Sequence, residues 1–88
     1  MNILIVEDET AAYENLVDII TEVDPHIRIA GNTESVTGTV QWLQSNPLPD
    51  LIFMDIHLSD GSAFAIFDKI AVETPIVFTT AYDQYAIE

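Results

Sequence analysis

The sequence predicts an α/β fold, a doubly wound parallel sheet covered by helices. Short apolar runs alternate with segments of helical periodicity, which gives the order β-α-β-α-β-α-β along the 88 residues. One of these runs, residues 51–54, contains no polar residue, as is typical of a strand buried on both faces. Strands that alternate with helices form parallel sheets with right-handed crossovers. A chain of this length therefore predicts a single small α/β domain.

The opening of the chain predicts the first strand and the first helix. Residues 2–6 (NILIV) form a short apolar run that ends at the acidic residues 7–9. A helix is expected from residue 9 or 10 to about residue 23, because apolar residues recur there on one helical face. That apolar stripe comprises Ala12, Leu16, Ile19, Ile20 and Val23.

The second strand and the second helix have weaker signals. Asp24-Pro25 ends the first helix, because the residue before a proline avoids the helical conformation. Residues 26–31 alternate between polar and apolar, with Ile27 and Ile29 on one face, which favours an edge strand. A helix is expected at about residues 34–44. Its inward positions are Val36, Val40 and Leu43.

The second half of the chain repeats the alternation. Residues 51–54 predict the third strand, and Asp60-Gly61 predicts a turn shortly after it. A third helix is expected at residues 62–72 and a fourth buried strand at residues 76–78. The inward face of that helix comprises Ala63, Phe67, Ile70 and Ala71. Residues 82–88 predict the entry into a fourth helix.

The composition excludes several classes of protein. Fifteen acidic residues and only two basic ones, Arg28 and Lys69, give a formal net charge of -13. Such a surface repels nucleic acid phosphates, so no direct nucleic-acid contact is expected, whereas cations and basic partners are favoured. The absence of cysteine excludes disulfides and thiolate metal sites. With neither a secretion signal nor an apolar run of membrane-spanning length, we expect a cytoplasmic location and no membrane contact.

Polar side chains follow three of the predicted strands. Glu7 and Asp8 follow the first strand, Asp55 follows the third, and Thr79-Thr80 end the fourth. The carboxyl ends of parallel strands meet at one crevice of a doubly wound sheet, so these groups are expected to converge. Clustered carboxylates repel one another unless a cation joins them, and Mg²⁺ is the natural ion for oxygen donors. A carboxylate can also be a nucleophile that forms an aspartyl phosphate.

These residues resemble the receiver domain of two-component response regulators. The resemblance rests on the acidic pair Glu7-Asp8, on Asp55 after the third strand, and on Thr80-Ala81 after the fourth. It implies a flavodoxin-like receiver fold with the strand order 2-1-3-4. Residues 78–88 further resemble receivers of the LytTR type, which are joined to a DNA-binding output domain; Tyr82, Tyr85 and Ala86 carry that hint.

The resemblance implies a role for each residue of the site. Asp55 would accept a phosphoryl group from a sensor histidine kinase. Asp8, Asp55 and the backbone carbonyl of His57 would bind Mg²⁺, and Glu7 would contact the ion through water. Thr80 would hydrogen-bond the phosphoryl group, and Ala81 would leave room for its oxygens. By the same resemblance the chain is a signalling module and not an enzyme.

The sequence also departs from the receiver pattern. A fifth strand that carries a lysine, and a fifth helix, are not present, and Lys69 lies within the predicted third helix, where it cannot replace that lysine. Residues 1–88 are therefore expected to be a truncated receiver, weakly active as a fragment. An incomplete sheet with an apolar edge is expected to self-associate.

Three other hypotheses follow from parts of the pattern. A phosphatase of the haloacid dehalogenase type also uses a strand-end aspartate with Mg²⁺, but it needs a second aspartate where this chain has His57. A nucleotide-binding domain needs a glycine-rich loop after the first strand, where this chain has acidic residues. A receiver-like interaction module without phosphorylation stays open, because the lysine is missing.

Overall fold

The first 79 residues form the described part of the computed structural model, and residues 80–88 lie outside it. In chain order, the helices and strands are β1 (Asn2–Val6), α1 (Thr10–Val23), β2 (Arg28–Thr33), α2 (Val36–Ser45), β3 (Leu51–Met54), β4 (His57–Leu58), β5 (Gly61–Ser62), α3 (Ala65–Lys69) and β6 (Ile76–Phe78). The predicted entry into a fourth helix at residues 82–88 falls outside the described residues.

The main sheet has four parallel strands in the order β2-β1-β3-β6. Because β6 is the fourth of the strands expected from the sequence, the predicted order 2-1-3-4 is confirmed. Two very short strands, β4 and β5, pair separately as an antiparallel hairpin, which was not predicted. This hairpin lies in the segment between β3 and α3, directly after the predicted phosphoacceptor Asp55.

Strand β1 is the most buried element of the sheet. Ile3, Leu4, Ile5 and Val6 are each at most 1% exposed. Ile3 and Ile5 pack on one face with Ile20 of α1, whereas Leu4 and Val6 pack on the other face with residues of α2 and α3. Successive side chains of a strand point to opposite faces, so an unbroken apolar run requires helices on both sides. The burial of β1 on both faces thus explains why helices cover both sides of the sheet.

The apolar stripe predicted for α1 is only partly correct. Ile20 is buried and Leu16 packs beside it, but Ile19 is 49% exposed and Val23 is 76% exposed. Tyr13 and Val17 pack against the buried cluster instead. Ile19 and Val23 contribute to an apolar cavity of about 200 Å³ between α1 and the amino-terminal ends of β1 and β3. Two residues of the predicted stripe, Ile19 and Val23, therefore lie at the edge of the contact between helix and sheet.

Strand β2 and helix α2 begin two residues later than predicted. Asp24 accepts hydrogen bonds from the backbone N–H groups of His26 and Ile27, and this turn delays the strand to Arg28. Strand β2 is nevertheless an edge strand, as predicted. Helix α2 begins at Val36 because the hydroxyl of Ser35 caps it, accepting from the Gly38 N–H at 2.9 Å.

The third helix is much shorter than predicted. It covers Ala65–Lys69, not residues 62–72, because Gly61 and Ser62 are used by the β4–β5 hairpin and Ile70 is already extended. Phe67 and Ala71, predicted to face inward, are exposed, while Ala63 and Ile66 are fully buried. The extended backbone lets Ile70 and Val72 pack against the same core cluster.

The prediction of a buried fourth strand is wrong for two of its three residues. Val77 is 44% exposed and Phe78 is 42% exposed. Strand β6 is the outer strand of the sheet in the described part of the chain, and the five-residue α3 is too short to cover it. Phe78 instead contacts the ring of Phe64, with ring centroids 5.5 Å apart. Within residues 1–79, no helix combines the length and the apolarity needed to cross a bilayer.

Candidate functional site

The carboxyl ends of the central strands place the predicted site residues at one edge of the sheet. The ladder of backbone hydrogen bonds continues one residue beyond each strand: the Glu7 N–H donates to Thr33, the Asp55 N–H to Val6 and the Thr79 N–H to Met54, each at 2.9 Å. Because the strands are parallel and adjacent, Glu7, Asp55 and Thr79 leave the sheet side by side. This is the edge at which open α/β sheets bind their ligands.

Three carboxyl groups meet at this edge. Oxygen atoms of Glu7, Asp8 and Asp55 all lie within 4.8 Å of one another, although 47 residues separate Asp8 from Asp55 in the sequence. Glu7 is only 7% exposed, and the two aspartates are half-buried. The convergence expected from the strand order is therefore present for all three acidic residues.

The Glu7 carboxyl of this cluster has a raised pKa. The pKa of the Glu7 carboxyl is raised from 4.5 to about 7, chiefly by burial and also by the charges of Asp55 and Asp8 and a hydrogen bond with the Asp55 carboxyl. The Glu9 N–H, which donates to Glu7 Oε2 at 3.2 Å, opposes this rise in pKa. Without a cation, the cluster therefore holds a proton near neutral pH.

The cluster borders two small cavities. One, of about 200 Å³, is lined by Asp8, Glu9, Asp55, His57 and Leu58. The other, of about 220 Å³, lies toward α1 and is lined by Glu7, Ala12, Asn15, Leu16 and Thr79. His57 thus lies at the same cavity as Asp8 and Asp55, as its predicted role requires. Thr80 and Ala81 fall outside the described residues.

The donor set fits a magnesium ion. Half-buried carboxylate oxygens within a few ångströms of one another are the ligands that Mg²⁺ takes in proteins, together with water. Burial and the two neighbouring carboxyl groups disfavour the ionised form of Glu7, and a bound cation would offset that cost. Glu7, Asp8 and Asp55 could hold the ion directly or through water.

Sequence reasoning missed two residues near the site that make long-range contacts. The side-chain amide of Asn32 donates to the carbonyl of Ile5 at 3.0 Å and to that of Glu7 at 3.4 Å, so it holds the end of β1 in place. Asp60, noted only as a turn residue, accepts hydrogen bonds from the first turn of α2. Both contacts span more than 20 residues of sequence, and no local pattern indicates them.

Lys69 does not contribute to the site. It lies in the last turn of α3 and borders a surface groove together with Thr37, Val40, Gln41 and Gln44 of α2. Its position agrees with the expectation that it cannot supply a positive charge beside Asp55.

Comparison with known proteins identifies relatives over the whole chain. The chain is 37% identical to the sensory transduction protein LytT of Enterococcus faecalis over 91 aligned residues, covering all of this chain and 37% of the relative. It is 35% identical to the transcriptional regulatory protein LytR of Staphylococcus aureus strain N315, covering all of this chain and 36% of that protein. The chain thus spans just over a third of the length of these curated relatives.

A solved structure supports the fold. The response regulatory domain of protein mrkE from Klebsiella pneumoniae is 30% identical and superposes with a TM-score of 0.80 over 98% of this chain and 71% of that one. This likeness agrees with the strand order found here.

A parallel, doubly wound sheet with an acidic cluster at its carboxyl edge places the chain in the class of open α/β domains that bind their ligands at the strand ends. Within that class, the family model of the response regulator receiver domain matches residues 3–88. The chain belongs to the response regulator receiver domain family and is homologous to the LytT and LytR response regulators. Receiver domains of this family are signalling modules that generally bind Mg²⁺ in an acidic pocket.

Proposed function

We propose that this domain is the phosphoacceptor of a two-component system and that Asp55 receives a phosphoryl group from a sensor histidine kinase. The observation that carries the proposal is the convergence of Glu7, Asp8 and Asp55 within 4.8 Å at the end of β1 and β3. Membership of the family suggests the reaction, phosphoryl transfer to an aspartate, and the acidic cluster contains residues that suit this reaction.

Each residue of the cluster has a distinct part in the proposed transfer. A carboxylate oxygen of Asp55 forms a bond to phosphorus while the bond from phosphorus to the kinase histidine nitrogen breaks, and the histidine leaves with that electron pair. By the resemblance, Asp8, Asp55 and the backbone carbonyl of His57 would hold Mg²⁺, and Glu7 would contact the ion through water. When bound, the ion neutralises charge on the transferring group. By the same resemblance, Thr80 would hydrogen-bond the phosphoryl group and Ala81 would leave room for its oxygens.

The domain organisation is part of the same proposal. Because the chain covers 71% of the Klebsiella receiver and about 37% of its curated relatives, we assign residues 1–88 to the phosphoaccepting part of a longer receiver. A transcriptional output domain, as the names of the LytR relatives suggest, is the proposed target of the signal. Since sensor kinases draw on ATP, we place the domain in the cytoplasm.

Self-association is proposed through strand β6. Its edge is unpaired within the described part of the chain, and two of its apolar side chains, Val77 and Phe78, are more than 40% exposed. An apolar edge with free backbone groups is a template for pairing with a second copy. We therefore propose that two copies associate along this edge.

The phosphoacceptor proposal is tested with a small phosphodonor, acetyl phosphate, and intact-mass measurement. In the presence of Mg²⁺ we expect slow addition of one phosphoryl group, and no addition when the ion is removed with a chelator. Asp55→Asn abolishes the addition, whereas Asp50→Asn, at the opposite edge of the sheet, leaves it unchanged. Addition that survives in Asp55→Asn, or no addition to the parent protein at saturating donor, contradicts the proposal.

A further inference from the structure

The tip of the β4–β5 hairpin is fastened to the start of α2. Asp60 Oδ1 accepts from the Val36 N–H at 2.6 Å, and Asp60 Oδ2 accepts from the Thr37 N–H and the Thr37 hydroxyl, both at 3.1 Å. The neighbouring Ser59 donates to the Glu34 carbonyl from its N–H at 3.3 Å and from its hydroxyl at 3.1 Å. Three hydrogen bonds therefore join Asp60 to the first turn of α2, and two more join Ser59 to Glu34 just before that helix, each more than 20 positions earlier in the chain.

These contacts complete the capping of α2. The first four N–H groups of a helix have no partner within it. In α2 the Gly38 N–H donates to the Ser35 hydroxyl and the Thr39 N–H to the Ser35 carbonyl, while the Val36 and Thr37 N–H groups both donate to Asp60. A carboxylate at this end also suits the helix dipole. The hydrogen bonds from Val36 and Thr37 hold the pKa of Asp60 below its usual range.

The hairpin that Asp60 fastens also carries part of the proposed cation site. His57, the first residue of β4, follows Asp55 by two positions and lines the cavity of Asp8 and Asp55. It pairs with Ser62 across the hairpin, and the Ala63 N–H donates to the Ile56 carbonyl at 2.7 Å at the hairpin base. A hairpin of two residue pairs is not stable alone, so its position depends on what its tip contacts.

We propose that Asp60 is a positioning residue for the cation site. Its carboxylate fixes the hairpin on α2, and the fixed hairpin holds His57 at the cavity that Asp8 and Asp55 line. The proposal rests on the cation site of the proposed function and adds to it a residue that touches neither the ion nor the phosphoryl group. Because coupling is reciprocal, cation binding also strengthens the attachment of the hairpin to α2.

Asp50 offers a matched control. It is also an exposed aspartate that accepts a backbone N–H from a distant residue, that of Asn2 at 2.7 Å. It lies at the amino-terminal ends of β1 and β3, at the opposite edge of the sheet from the carboxylates. An Asp50 variant loses one long-range hydrogen bond to a carboxylate, where an Asp60 variant loses three, and it leaves the hairpin unaffected. It therefore shows how much of the effect comes from losing a distant carboxylate contact elsewhere in the sheet.

The test is a titration with magnesium chloride, followed by the backbone amide resonances of residues 8 and 55–57. Asp60→Ala is expected to weaken Mg²⁺ binding roughly tenfold, as is typical when a residue that orients metal ligands is removed. Asp60→Asn, which keeps one acceptor oxygen, restores part of the affinity, and Asp50→Ala binds like the parent protein. In the metal-free protein, amide exchange at Ser59 and Ala63 accelerates in Asp60→Ala only.

The outcomes separate this inference from the proposed function. If the parent protein does not bind Mg²⁺, the proposed cation site is wrong, and the proposed role of Asp60 is wrong with it. A parent that binds Mg²⁺ while Asp60→Ala binds equally well leaves the cation site intact and overturns the positioning role alone. Equal amide exchange at Ser59 and Ala63 in the two proteins likewise overturns it.

Discussion

The protonation state of the Glu7 side chain affects both the stability of the fold and the proposed Mg²⁺ site. It is almost fully buried beside two other carboxyl groups, and its carboxyl has a pKa of about 7. An ionised group in such a position destabilises the fold unless a cation offsets it. A residue of the proposed Mg²⁺ site is thus one whose ionisation destabilises the metal-free fold.

We expect the metal-free protein to lose stability between about pH 4.5 and 7, with the loss complete above that range. In this window the folded state still holds the Glu7 proton that the unfolded state has released, so the free energy of unfolding falls as the pH rises. The shift corresponds to at most roughly 3 kcal/mol. Urea unfolding across this range measures it.

Glu7→Gln is the control for this prediction, because a glutamine resembles the protonated glutamate and cannot ionise. The variant should show a much flatter pH profile, and Mg²⁺ should restore stability at high pH in the parent protein only. Parallel pH profiles for the parent and Glu7→Gln would show that another group is responsible.

At the scale of elements, the contact between β2 and α2 leaves no room for a larger side chain. A Cβ atom at Gly31 would lie 2.7 Å from Nε1 of Trp42 and 3.0 Å from its Cε2 atom. Trp42 itself packs against the core cluster beneath α2. Glycine is therefore required at this point of the strand by the approach of the indole ring, and the close contact fixes the distance between helix and strand.

Gly31→Ala is expected to destabilise the protein by about 1–3 kcal/mol, because the indole ring must leave its position in a packed interface. Thermal unfolding followed by circular dichroism measures the effect. Trp42→Leu removes the ring atoms that the added methyl group would meet, so the double variant should lose less stability than the sum of the two single variants. Additive losses would mean that the ring does not oppose the added methyl group.

Much of the fold follows from local sequence patterns. The differences between the predicted and the observed fold have identifiable causes. The apolar run at residues 3–6 predicts a buried strand because a strand that is covered on both faces accepts apolar side chains at successive positions. The length of α3 was not predictable in this way, since it depends on a hairpin whose tip bonds to α2. The acidic cluster was predictable from strand order, whereas the support that Asn32 and Asp60 give it depends on contacts between distant segments.

At the scale of the whole molecule, a net charge of -13 coexists with an apolar sheet edge. The charge opposes close approach of two copies, and the exposed β6 favours it. The charge repulsion is screened by salt, but the apolar contact is not. Association is therefore expected to increase with both protein concentration and ionic strength.

Sedimentation velocity in moderate salt should show an average mass that rises above the 9.8 kDa of the single chain as concentration increases. Val77→Glu places a charge on the edge strand and should keep the protein monomeric. Leu48→Glu, at a residue that is 67% exposed between α2 and β3, should associate like the parent protein. A parent protein that stays monomeric throughout contradicts the proposed edge pairing.

The hairpin tip has a practical consequence for protein engineering. An exposed two-residue turn is ordinarily a good place to insert an epitope tag or a protease site, since little else depends on its conformation. Ser59 and Asp60 form such a turn, yet an insertion between them would detach it from α2. The exposed bend at Pro25-His26, before β2 and on the far side of the sheet, is the better graft position.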